Sequence, residues 1–266
     1  MNTQTMPDKK SPLSSINWRL FFTLLVLVAI GLIALIPYGL SAVGQNLTQE
    51  MIPQLLIQFL GQLILYSVLL LAGLLLGKKI GLGTPLLSGL VEGKGFAFEK
   101  KGIGTVVFSG LFVGVLMILL DLRVFAPLLE LQLQMLGEIV RPTAWEGFLA
   151  SFYGGIVEEI MTRFFLLTLL AWVGSKISHT EDGRPTPAVM WISIILSTLI
   201  FGLGHLPSAT VMGVPLTPLY IIRTLLLNSV GILYGWLYWK RGLESAMLAH
   251  FSTDLVVHML GAILLA

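Results

Sequence analysis

The chain of 266 residues contains no cysteine. Disulfides, thiolate metal sites and a cysteine nucleophile are thereby excluded. Charge is scarce as well: Asp, Glu, Lys and Arg make up 11% of the residues, against about 25% in a soluble domain. The formal net charge is only +2, so no nucleic-acid partner is implied. No internal repeat and no low-complexity tract is visible. What the chain has in quantity is apolar residues, 56% of the total, with a mean hydropathy of +0.90. These values predict an all-α, polytopic bundle of membrane-spanning helices. Residues 1–19 are polar and slightly basic, and the apolar run 20–43 follows them. That run is longer than a signal-peptide core of roughly 7–15 residues and reads as a retained first span.

Seven stretches are near the length of about 20 apolar residues that a crossing needs: 20–43, 55–77, 104–120, 147–174, 188–206, 219–239 and 245–265. Residues 80–103 are glycine-rich. Residues 122–141 alternate Leu128, Leu129, Leu136 and Ile139 with Glu130, Gln132, Gln134 and Glu138, which predicts an amphipathic helix at the interface. If that stretch spans instead, the count becomes eight. Placing the N-terminus in the cytoplasm puts Lys9, Lys10, Arg19, Lys78, Lys79, Lys94, Lys100, Lys101, Lys176, Arg184, Lys240 and Arg241 inside. Only Arg123 and Arg141 then lie outside, as the positive-inside bias requires. The expected organisation is a cytoplasmic tail at 1–19, N-terminal spans with interfacial segments at 20–143, and a second part at 144–266. The bilayer is the first partner. Short loops favour a bacterial plasma membrane.

Ionisable groups inside spans are functional candidates by default, because hydrocarbon does not solvate them. Here they are Glu158, Glu159, Arg163, His205, Arg223, His250, Asp254 and His258. At about 100° per residue, Glu159 and Arg163 lie on nearly one helical face and can pair. Glu158 is left over, about 140° from Arg163 around the helix. A buried carboxylate persists as an ion only if something polar faces it. His205 shares a helical face with Phe201, and His250, Asp254 and His258 form one stripe at four-residue spacing. Glu158, His205 and His250 on three helices would make a carboxylate–imidazole cluster able to deprotonate a water. With a divalent ion such as zinc, the same three would form a two-histidine, one-carboxylate set. His258 reads as a core histidine, Arg223 as an interfacial residue reaching headgroups or the outer aqueous layer, and Asn228 as an interhelical hydrogen-bonding residue. The aromatic group in "LYGWLYWKRG" reads as an interfacial anchor.

Three motifs carry a resemblance. Glu158-Glu159-Ile-Met-Thr-Arg163 reads EExxxR, Phe201 to His205 reads FxxxH, and His250 to Asp254 reads HxxxD. In this order, each on its own span, they resemble the CAAX-protease and bacteriocin-processing family of intramembrane proteases (CPBP, or Abi), whose eukaryotic relative is the CAAX prenyl endopeptidase. The resemblance implies an intramembrane endopeptidase with 144–266 as its catalytic core, acting on a membrane-associated peptide or lipidated protein. It implies Glu158 as the general base, and His205 and His250 as oxyanion-stabilising or metal-binding groups. Asp254 would be the fourth polar member, with Glu159, Arg163 and Phe201 in support. Prenyl-processing members carry Asn at the position of Asp254, and Asp can ionise where Asn cannot. A cofactor is left open between none and a divalent metal, so the enzyme would be a glutamic or a metallo-endopeptidase. The competing readings are a non-catalytic immunity or assembly factor on the same scaffold, and a proton-coupled transporter. Under the predicted topology His205 lies near the outer end of its span, His250 near the inner end of its own and Glu158 midway. A shared site therefore requires tilted or broken helices, or a fifth span that stops mid-membrane near Pro207, and "FGLGHLP" has the glycines and the proline for such a stop.

Overall fold

The computed structural model describes residues 16–95, 100–129, 142–211 and 213–264. Helix α1, Trp18–Ala42, starts where the Asn17 side chain accepts from the Leu20 N–H at 3.2 Å. Helix α2, Gln49–Ile80, has Lys78 and Lys79 in its last turn and stops at Gly81, whose φ of 75° suits a residue without Cβ. A short α3, Pro85–Val91, and a long α4, Gly102–Leu129, follow. Helix α5 runs over 144–174, capped by reciprocal hydrogen bonds between Thr143 and Glu146. The last four are α6, Pro187–Gly204; α7, Leu206–Val211; α8, Pro218–Arg241; and α9, Leu243–Leu264. Among the described residues there is no named strand.

Six of these segments are long and apolar enough to cross a membrane: α1, α2, α4, α6 together with α7, α8 and α9. Helix α5 is as long but carries Glu158, Glu159 and Arg163. Its apolar residues Val157, Ile160, Phe164 and Leu167 are buried in the main core. The chain is thus a multi-pass membrane protein with a central charged helix, and the outward faces of α1, α2 and α4 are apolar, as at Phe22, Ile57 and Phe108.

Two expectations change here. Residues 122–129 do not begin a separate interfacial helix. They continue α4 through a π-helical turn at Asp121–Phe125, and 130–141 lie outside the described residues. Arg223 does not reach for headgroups either. Its guanidinium donates through Nε and Nη2 to both oxygens of Asp121, each at 2.6 Å, so a bidentate ion pair joins α8 to α4. The partners stand 102 positions apart, and no local pattern couples them.

Close backbone approach sets the position of α9. Gly110 and Gly114 of α4 face Ala249, Ser252, Thr253 and Val256, where a Cβ would overlap backbone carbonyls. Small residues four apart let two helices meet in this way inside a membrane. The Thr253 hydroxyl donates to the Gly110 carbonyl at 3.0 Å and fixes the register. This contact presents His250 and Asp254 to α5 on the other side.

Candidate active site

Helix α5 is wound as π-helix over Tyr153–Glu158 and Ile160–Leu167, and α9 over Leu255–Leu260. Such wide turns are frequent at functional sites. Despite the altered winding, the expected ion pair forms. Arg163 Nη1 donates to Glu159 Oε1 at 2.9 Å, and both side chains are fully buried. The same guanidinium donates to Thr162 Oγ1 at 2.6 Å and, from α5 to α8, to the Gly231 carbonyl at 2.9 Å. It also lies over the rings of Phe201 and Tyr234, at 5.2 and 5.3 Å.

Glu159 does more than balance Arg163. His250 Nδ1–H donates to the same Oε1 at 2.8 Å. The carboxylate therefore fixes which way the imidazole points. The ring is also stacked on Tyr234, with centroids 4.5 Å apart and an 18° interplanar angle. Its other nitrogen, Nε2, looks towards Glu158 Oε2 at 3.7 Å and Asp254 Oδ1 at 3.6 Å. Both are beyond direct hydrogen-bond length and within the range of charge attraction. Glu158 is thus the carboxylate that Arg163 does not hold, and its side chain keeps 18% of its surface accessible.

His205 arrives by a break, one of the arrangements that the sequence left open. Helix α6 ends at Gly204, His205 caps it, and α7 begins at Leu206. The imidazole Nδ1–H donates to the Phe201 carbonyl at 2.9 Å, one turn back, which leaves Nε2 free. The Phe201 ring touches the His205 ring edge-on at 4.6 Å and stands 6.1 Å from the His250 ring. Glu158, His205, His250 and Asp254 all line one cavity of about 570 Å³, together with Asn228 and Tyr38. Side chains from α5, α6, α8, α9 and α1 therefore meet in a single hollow, whatever their separate heights along the spans.

Two cavity residues depart from the sequence reading. His258 is not a remote core histidine: it lines the cavity, with Nε2 4.0 Å from Asp254 Oδ1. Tyr38, on α1, was not singled out by any motif, and its hydroxyl lies 3.1 Å from His258 Nδ1. A phenol one residue after Pro37 in an apolar run was its only sequence signal. Asn228 also lines the cavity while its amide N–H donates to the Thr224 carbonyl at 2.9 Å on its own helix.

Gly154 makes room for this cluster. A Cβ there would overlap Asp254 Oδ2 and approach His250 Nε2 to 3.3 Å. Gly154→Val should therefore displace Asp254 and lower the cleavage rate at least tenfold, with an overpacking cost of about 1–3 kcal/mol seen as a lower Tm. A rate equal to wild type would show that Asp254 needs no fixed place.

Among the described residues, no group of three His, Asp or Glu side chains is arranged to hold a metal ion. Glu158, His205 and His250 share the cavity without forming such a ligand set. What the arrangement offers chemically is a carboxylate open to the cavity, with one oriented imidazole 3.7 Å away, a second lining the same hollow, and a fully buried ion pair behind it. A family model described as "Type II CAAX prenyl endopeptidase Rce1-like" matches residues 140–256, a segment that holds all three motifs. No curated protein and no solved structure matches the chain.

Proposed function

Since residues 140–256 match the Rce1-like family model of CAAX endopeptidases, we propose that the chain hydrolyses a peptide bond of a membrane-associated, lipidated substrate with a water activated by Glu158. The observation that supports this most is the division of labour between the adjacent glutamates. Glu159 is fully buried and committed to Arg163 and His250, while Glu158 is open to the cavity. Glu158 takes a proton from water as the water oxygen bonds to the scissile carbonyl carbon. The carbonyl electron pair moves to oxygen, and the Nε2–H of an imidazolium at His250 or His205, whose Nδ1–H is already given to Glu159 or to the Phe201 carbonyl, stabilises the resulting oxyanion. Collapse of the tetrahedral species expels the amine, which recovers the proton from Glu158. His250 is suited to the donor role, because Glu158, Glu159 and Asp254 surround it with carboxylates.

A second, mostly apolar hollow of about 610 Å³ lies between α1 and α2 and shares Leu35, Gly39 and Tyr153 with the reaction cavity. It suits an isoprenoid or acyl chain attached close to the cleaved bond. The test is purified protein in nanodiscs with a fluorogenic peptide bearing a farnesylated cysteine before its last three residues. Cleavage should occur beside that cysteine, place oxygen-18 from labelled water in the new carboxyl group, and proceed at an unchanged rate with EDTA or phenanthroline. Loss of activity with chelator that zinc restores would replace the glutamic mechanism by a metal-assisted one. Absence of cleavage in a screen of lipidated and unlipidated peptides would favour a non-catalytic role.

A further inference from the structure

The matched family segment stops at residue 256, yet two polar side chains beyond its limits close the cavity behind Asp254. Tyr38 comes from α1 and His258 from the π-helical turn of α9. A phenol inside an apolar span must donate its O–H to something. The acceptor beside it is His258 Nδ1, at 3.1 Å. Accepting there places the neutral ring's proton on Nε2. That nitrogen is the one facing Asp254 Oδ1, at 4.0 Å, beyond direct hydrogen-bond length and within the range of charge attraction. The rings of Tyr38 and His258 also meet edge-on, with centroids 5.3 Å apart at 77°, so the pair is held by packing as well as by the hydrogen bond. Oδ1 of Asp254 thus sits between two imidazole Nε2 atoms, His250 at 3.6 Å and His258 at 4.0 Å.

This bears on the residue at 254. An amide there would bring its own N–H donors, whereas a carboxylate only accepts. We infer that Tyr38 and His258 form a positioning pair for Asp254: the tyrosine hydroxyl sets the histidine tautomer, so that the histidine turns an N–H and not a lone pair towards the carboxylate at 254. Asp254 is then held facing His250 instead of turning towards other donors in the cavity. The pair acts through Asp254 and does not itself touch the reacting atoms. This inference rests on the endopeptidase reading above.

The test is a set of substitutions in the full chain, assayed in nanodiscs with the farnesylated peptide. Tyr38→Phe keeps the ring and removes only the hydroxyl. It should lower kcat about tenfold, the worth of one hydrogen bond at this scale, while KM and Tm stay near wild type. His258→Leu should lower kcat to the same degree, and the double variant should be no slower than His258→Leu alone. His258→Gln, whose amide N–H can replace Nε2–H, should recover most of the rate. In an Asp254→Asn background with measurable activity, Tyr38→Phe should change kcat less than twofold. The inference is overturned if Tyr38→Phe cleaves like wild type, if the two losses multiply, if KM moves in place of kcat, or if the rate falls only along with Tm. Glu158→Gln, run in parallel, separates the two levels. If it stays active, the endopeptidase mechanism fails; if it is inactive while Tyr38→Phe is normal, only the positioning role fails.

Discussion

Glu158→Gln should stop peptide cleavage and leave the bundle intact. The amide has nearly the size of the carboxyl group, so the cavity keeps its shape. It cannot take a proton from water, and removal of a general base costs about 10²–10⁴ in rate. Stability should change little because Glu158 is no structural anchor. Its side chain is part-exposed in the cavity, its nearest charged partner is His250 Nε2 at 3.7 Å, and its backbone carbonyl still accepts from Thr162 at 2.6 Å. The measurement is kcat on the farnesylated peptide beside Tm in the same detergent. A purified Glu158→Gln protein that cleaves like wild type would mean that the base is elsewhere, and Asp254 would be the next carboxylate to test.

The neighbouring position should behave in the opposite way. Glu159→Ala strands Arg163 in a fully buried setting where, among the described residues, Glu159 is its only carboxylate partner. Breaking such a pair from one side costs about 3–5 kcal/mol, because a charge remains without its counter-charge. The same change also releases His250 Nδ1 from its 2.8 Å contact, so the imidazole loses its orientation. The variant should therefore lose both yield and activity, with a clear fall in Tm. Glu159→Ala with normal Tm and reduced rate would assign the residue to orienting His250 alone; normal Tm and normal rate would remove it from the site. The contrast between two adjacent carboxyl groups, one lost mainly in kcat and the other mainly in Tm, is the sharpest signature of this arrangement.

Much of this was legible in the residues. Seven crossings follow from apolar length; six of those stretches are helices long and apolar enough to cross, and the seventh, 147–174, lies in a helix that carries the buried charges. The Glu159–Arg163 pair follows from four-residue spacing on a helix, and it survives even the π-helical winding of α5. The break at His205 follows from glycines and a proline around it. Local signals of this kind act within one or two turns, and a linear pattern records them directly.

Other features were not legible, for the same reason turned around. The extension of α4 through Asp121 to Leu129 was hidden because polar residues there look like the end of a span. Arg223 binds that aspartate across 102 positions. The site's rear wall, Tyr38 against His258, joins residues 220 positions apart on the first and last crossings.

By itself, then, the order of residues determined the helical bundle, the buried Glu159–Arg163 pair, and the three motifs that resemble those of the CAAX-protease family. Only the packed structure decided that Glu159 rather than Glu158 orients His250, that Asp254 lies between two histidines, and that a tyrosine from α1 reaches into the same hollow. Those relations depend on how close helices approach one another. That distance is set by glycine contacts such as Gly110 and Gly154, where a missing Cβ lets another helix's backbone or a carboxylate move in.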